Sequence, residues 1–182
     1  VGQLARGKGL DLLLHAVGSM AVRPSLRIVG DGPQAEECHE LARKLDLVES
    51  VHFLGRKSGA DLDALYRDSS AVVVPSRSPE TFGLVGLEAM SHGVPTIAAR
   101  VGGMGEWLQE GKTGLGFESG NVHELASRIE TLLASPALRA AMGRAAQDRH
   151  QRHFLPGHHA RRLIRALETT VTTHRTGIEV TA

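Results

Sequence analysis

Short apolar runs alternate along this chain with stretches in which apolar residues recur every three or four positions. The runs fall at residues 1–4, 26–30, 51–54, 71–75, 96–99 and 115–117. They are mostly continuous rather than alternating, the pattern of strands buried on both faces of a parallel sheet. Between the first two, Leu10, Leu13, Leu14 and Val17 share one helical face. Residues 34–45 repeat that spacing. Residues 58–67 start with Ser58 and Asp61 at capping-box separation, then align Leu62, Leu65 and Tyr66. Residues 83–91 read as a short helix after a polar loop. Residues 121–134 align Val122, Leu125, Ile129, Leu132 and Leu133, with Asn121 and Glu124 as a cap pair. Ser135-Pro136 then offers a cap and a first-turn proline to another helix. A last helix is expected over 158–170, and residues 171–182 are expected to fray.

Strict strand–helix alternation predicts an α/β fold, a doubly wound Rossmann-like parallel sheet. The 182 residues suffice for one domain with a proper core, placed at 1–170. In such sheets ligands bind beyond the carboxyl ends of the strands. The loops expected to carry function are therefore 3–9, 30–33, 55–59, 75–83 and 100–105.

Composition narrows the chemistry. A net charge of +1, with no long run of one sign, argues against a nucleic-acid surface, which needs clustered Lys and Arg. Aromatic residues make up only 3%, so Leu, Val, Ile and Ala must build the core. The lone cysteine, Cys38, lies on the apolar side of a predicted helix and reads as a packing residue. A single thiol makes no internal disulfide, which points to a reducing, cytoplasmic setting. No apolar run approaches the ~20 residues needed to span a bilayer. The chain opens on Val1 inside a strand-like segment, so a domain of a longer protein is expected.

The most informative stretch is PSRSPETFGLVGLEAMSHGVPTIAARVGG, residues 75–103. A strand ends at Pro75, a polar loop carries Glu80, and Gly83 opens a helix that holds Glu88. Free N–H groups and the positive dipole end at a helix start suit a phosphate. Leu84 and Glu88 lie on one helix face at i, i+4, where a carboxylate can accept bonds from a ribose diol.

This stretch resembles the Glu-x7-Glu signature of retaining GT-B glycosyltransferases, most closely the large family four. Glu80 and Glu88 match its two glutamates. The flanks TFGL, LEAM, GVPTIA and VGG match as well, and so do VGQLARGKG, LRIVGDGP, VHFLGR and GKTGLGF elsewhere in the chain. The resemblance implies the C-terminal, nucleotide-sugar-binding domain of a GT-B fold, with the N-terminal acceptor-binding domain absent. It implies that Glu88 binds the ribose hydroxyls and that Glu80 sits beside the transferred sugar. Lys8 then neutralises the departing diphosphate, making Glu80 and Lys8 the catalytic pair. Backbone around Phe82, Gly83, Leu84 and Val85 meets phosphate or sugar oxygens, and Arg56 borders the base. The donor is a nucleotide-diphosphate sugar, with no cofactor and no metal. The partners are the nucleotide sugar and the absent domain, through which peripheral association with the inner face of a membrane is implied. An exposed apolar face is expected where that domain docks.

One position departs from the family pattern, which carries Arg directly after the first glycine of the opening motif. Here it is Gln3, which donates a hydrogen bond but brings no charge. Arg6, Arg56 or Arg100 could compensate. Gln3 also keeps a second reading open: a nucleotide-sugar-binding module without catalysis, or one subunit of a split transferase.

Three other features are read as structural. Asp61-Leu62-Asp63 spells a metal-binding DxD, but acids in a first helical turn favour the helix dipole anyway. His150, His153, His158 and His159 cluster near the end, yet Pro156-Gly157 interrupts them. Trp107 reads as a packing residue.

Overall fold

The computed structural model describes residues 1–176 of the chain. In order, the elements are α1 (Leu10–Ser19), β1 (Leu26–Ile28), α2 (Ala35–Lys44), β2 (Val51–Phe53), α3 (Gly59–Arg67), β3 (Val72–Val74), α4 (Leu84–Ser91), β4 (Thr96–Ala99), β5 (Gly114–Phe117), α5 (Val122–Ala134), α6 (Pro136–His153) and α7 (Pro156–Thr176). Short 3₁₀ turns at Arg6–Lys8 and Gly102–Glu106 leave no mark in the hydrophobic periodicity.

All strand pairs are parallel, and helices cover both faces. The ladder, however, is divided. β1 pairs with β2, while β3, β4 and β5 form a separate sheet in that order. The expected strand at residues 1–4 belongs to neither ladder. It runs extended beside β1, tied by Gly2 N–H to Val29 O at 2.9 Å and Leu4 N–H to Asp31 O at 3.0 Å. Gly2, at φ 141, departs from strand geometry. The facing edges of β1 and β3 border a largely apolar cleft of about 1010 Å³.

Side chains alternate across the second sheet as its period of two requires. Ile97 and Ala99 face α1 and α5, in a core with Leu14, Val17, Phe117, Leu125 and Leu132. Val72, Val74 and Ala98 face the other way, with Tyr66, Ala89, Met90, Met104 and Trp107. Burying each Val, Leu, Ile, Met or Phe side chain among these contributes roughly 1.5–3 kcal/mol relative to exposure. Cys38 is buried in the first core, and burial pushes its thiol pKa up, helped by nearby Asp11 and Glu37. It packs, as its helical position implied.

Helix starts follow the sequence in two of three cases. Asn121 accepts from Glu124 N–H at 3.0 Å, and Ser135 accepts from Leu138 N–H at 3.2 Å with Pro136 in the first turn. Ser58 stands at the start of α3 but makes no capping bond with its side chain. α7 runs to Thr176, past the expected end near 170, and leaves Leu163, Ile164 and Leu167 exposed. The remainder of the expected tail, residues 177–182, lies outside the described residues. So does the side chain of His159.

Candidate functional site

The site is built where the carboxyl end of β3 meets the opening loop. β3 delivers the chain to Pro75, and the loop from Ser76 turns back over Gly7. Gly7 O accepts from Arg77 N–H at 2.9 Å and from Ser78 N–H at 3.2 Å. Beneath this staple lies Gly9, at φ 68, where a β-carbon would collide with Pro75 O. Only glycine lets the two loops approach so closely. Arg77 reinforces the join from the side through Asp11 on α1, Nη2 to Oδ2 at 2.5 Å.

That join sets Lys8 opposite Glu80, far away in sequence. Lys8 Nζ lies 2.6 Å from Glu80 Oε1, which also accepts from Ser76 Oγ at 2.7 Å. Burial raises the Glu80 pKa, but hydrogen bonds from Lys8 and Ser76 and the Lys8 charge outweigh it. The carboxyl therefore sits below its ordinary range. The Glu80 side chain is only 18% exposed and that of Lys8 44%, so the pair is held by protein yet open on the lysine side.

The backbone of Glu80 is fixed from behind. Gly103 N–H donates to Glu80 O at 2.8 Å, and a β-carbon on Gly103 would collide with Thr81 O. Trp107, buried at 1% exposure, donates from Nε1 to Phe82 O at 2.6 Å. The indole thus packs as expected and also anchors the loop that precedes α4. Phe82 sets its ring edge-on to Phe154 at 6.0 Å while bordering the cleft.

Gly83, at φ 76, opens α4 with no side-chain cap and no acid in the first turn. Its N–H end is left facing the cleft mouth beside Leu84 and Val85, an arrangement that suits an anion. Glu88 follows one turn further on, exposed, with Oε2 accepting from Tyr66 Oη at 2.6 Å.

Gln3, Lys8, Glu80, Phe82, Gly83, Leu84 and Val85 all border the large cleft. The body of that cleft runs between the two sheets and is apolar, so the polar mouth is the part suited to a charged ligand. Glu88 adjoins it through Tyr66, itself a lining residue. Arg56 is exposed on the loop after β2 and does not border the cleft; Gly30 N–H reaches that loop at Gly55 O, 2.8 Å. Arg100 is occupied elsewhere, with Glu110 at 3.3 Å and Glu124 at 3.4 Å. Its charge is already shared, which makes it a poor substitute for the cation missing at Gln3.

Ser76, Tyr66 and the Asp11–Arg77 pair join the site without having been singled out in the sequence. Ser76 lies inside the quoted motif and Tyr66 is the only tyrosine, whose buried hydroxyl requires a partner. The Asp11–Arg77 pair carries no local signal. Among the described residues no three His, Cys, Asp or Glu side chains converge as a metal site. Asp63 of the DxD lies 3.3 Å from His92 Nε2.

A family model described as glycosyl transferases group 1 matches residues 1–149. The sulfoquinovosyl transferase SQD2 of Arabidopsis thaliana is 37% identical over 158 residues, covering 84% of this chain and 29% of that protein. A D-inositol 3-phosphate glycosyltransferase of Corynebacterium aurimucosum is 36% identical over 160 residues, covering 83% and 38%. Among solved structures, Anabaena Alr3699/HepE in complex with UDP aligns with a TM-score of 0.87 at 28% identity, over 92% of this chain and 47% of that one. The chain therefore spans less than half the length of each of these proteins.

Proposed function

Because this chain belongs to the glycosyl transferases group 1 family, we propose that it is the donor-binding domain of a retaining GT-B glycosyltransferase, which moves a sugar from a nucleotide diphosphate to an acceptor. The observation that carries this reading is the Lys8–Glu80 pair set against the uncapped start of α4. In this reading the cation lies beside the departing diphosphate and the carboxylate beside the sugar.

In this reading the bond from the anomeric carbon to the diphosphate oxygen breaks, and the oxygen keeps the electron pair. Lys8 and the N–H groups at Gly83, Leu84 and Val85 stabilise that growing negative charge. Such preorganised charge is the largest resource available when the leaving group is an anion. Glu80, already ionised, holds sugar hydroxyls and stabilises positive charge at the anomeric carbon. The acceptor hydroxyl oxygen then bonds to that carbon from the face the diphosphate left, and its proton passes to the departing diphosphate oxygen. Glu88 binds the ribose diol, Gln3 donates to the diphosphate, and Arg56 borders the base. Lys8 and the helix start supply the positive charge, so no metal is required.

The acceptor would come from the part of the protein beyond this domain, docked with help from the apolar face of α7 at Leu163, Ile164 and Leu167. No helix among the described residues is long and apolar enough to cross a membrane. Association with the inner face of a membrane would lie in that other part. The lone buried Cys38 suits a reducing, cytoplasmic setting. Gln3 favours the second reading, a module that binds a nucleotide sugar without catalysis.

Calorimetric titration with UDP, GDP and ADP at low salt, beside Glu88→Ala, tests the proposal. One nucleotide should bind saturably, and the variant should weaken it by about tenfold or more. If none binds, or if Glu88→Ala binds equally well, the proposed donor site is wrong.

A further inference from the structure

Glu88 is an exposed residue of α4, where a glutamate side chain would ordinarily sample several rotamers. Here it does not stand alone. Tyr66, on the neighbouring helix α3, donates to Glu88 Oε2 at 2.6 Å from a position only 2% exposed. The phenol is itself clamped. The ring of His92, the residue that ends α4, stacks on it at 5.2 Å between centroids and 18° between planes. His92 is tied on one edge to Asp63 of α3, Nε2 to Oδ1 at 3.3 Å, and on the other to Glu88 O, 2.8 Å from Nδ1. Two helices are thus linked twice, once through the carboxylate and once through the imidazole.

From this geometry we infer that Tyr66 is a positioning residue: its hydroxyl presets the Glu88 carboxylate to receive the cis-diol of a ribose. The inference rests on the reading of Glu88 as the ribose-binding group. An ionised carboxylate has about four acceptor sites, and Tyr66 occupies one on Oε2. The rest, including all of Oε1, stay available to two hydroxyls. A phenol donating to an ionised carboxylate makes a short, charge-assisted bond. Burial, together with the hydrogen bond to Glu88 and its charge, pushes the Tyr66 hydroxyl pKa far above its ordinary value. The phenol therefore remains a donor across the whole working pH range. Holding the carboxylate in one rotamer before the ligand arrives removes an ordering cost from binding.

A rival account is that Glu88 merely satisfies a buried phenol. The two accounts differ in what Tyr66→Phe does to ribose selectivity. The probes are UDP, GDP and ADP, each beside its 2′,3′-dideoxy form, titrated into the chain and into its Tyr66→Phe and Glu88→Gln variants. The unmodified chain should prefer the ribose form of the nucleotide it binds by roughly tenfold or more. Glu88→Gln should abolish that preference. Tyr66→Phe should narrow it by about three- to tenfold, lowering affinity for the ribose form more than for the dideoxy form. If Tyr66→Phe keeps the full preference, the positioning role falls and the reading of Glu88 stands. If Glu88→Gln keeps it too, or no probe binds, the ribose reading falls and takes the positioning role with it.

Should Tyr66→Phe melt early, the single tyrosine of the chain allows a second measurement. Incorporating 3-fluorotyrosine labels this position alone. Its fluorine resonance should move on saturation with the ribose nucleotide and stay still with the dideoxy form. A resonance unmoved by either overturns the inference.

Discussion

Lys8 and Glu80 define the electrostatics of the site between them. The Glu80 carboxyl lies below its ordinary range in the folded chain, so the pair stabilises the fold above the unfolded carboxyl pKa. That contribution fades as pH falls through the lower folded value. Lys8→Met removes the cation and leaves Glu80 with Ser76 and its own burial. We predict that the Glu80 pKa then rises, read by carbon NMR titration of the carboxyl, and that diphosphate affinity drops about tenfold. An unmoved pKa would show that Ser76 alone holds the carboxylate. Gln3 borders the same cleft mouth without charge. Gln3→Arg should tighten nucleoside diphosphate binding at low salt, and the gain should shrink as salt screens it. Calorimetry at two ionic strengths that found no gain would remove Gln3 from the site.

At the scale of elements, the join between the opening loop and the end of β3 brings Lys8 to Glu80. It depends on Gly9, whose φ of 68 and contact with Pro75 O exclude a side chain. Gly9→Ala should cost about 2 kcal/mol or more, a fall of roughly 4–8 °C in melting temperature for a domain of this size. It should also weaken nucleotide binding, because the loop that carries Lys8 must back away. Normal binding with normal melting would mean that the loops adjust independently. The start of α3 is instructive here. Ser58 and Asp61 have capping-box spacing, but Ser58 makes no side-chain cap, whereas Asn121 and Ser135 do. Spacing places a cap, and the approach of the preceding chain decides whether the oxygen points at the helix.

At the scale of the whole molecule, the proposed transfer needs two half-sites. A productive cleft must exclude water and hold both substrates in reacting geometry. These 182 residues carry the donor side of the proposal. We therefore predict no detectable sugar transfer to water or to simple acceptors by this chain alone, and nucleotide binding unchanged by EDTA. Turnover of a nucleotide sugar in a coupled assay would overturn the two-half account, and loss of binding in EDTA would point to a metal.

Much of the molecule is legible in the chain itself. Hydrophobic periodicity determines the α/β order, and nearly every strand and helix falls where it predicts, because burial on one or two faces leaves a local signature. The Glu80–Glu88 spacing lies within one segment, so the amino-acid sequence alone suffices to name those candidate residues. What the chain does not disclose are contacts between segments distant in sequence. Tyr66 reaching Glu88, Lys8 reaching Glu80, Gly103 supporting Glu80 and Trp107 holding Phe82 O all depend on how layers pack, and no local pattern encodes them. The division of the sheet is of the same kind. Residues 1–4 have the composition of a strand, and only the tertiary structure shows that they run along the end of β1 through backbone bonds to Val29 and Asp31, a pairing between segments that no local pattern encodes.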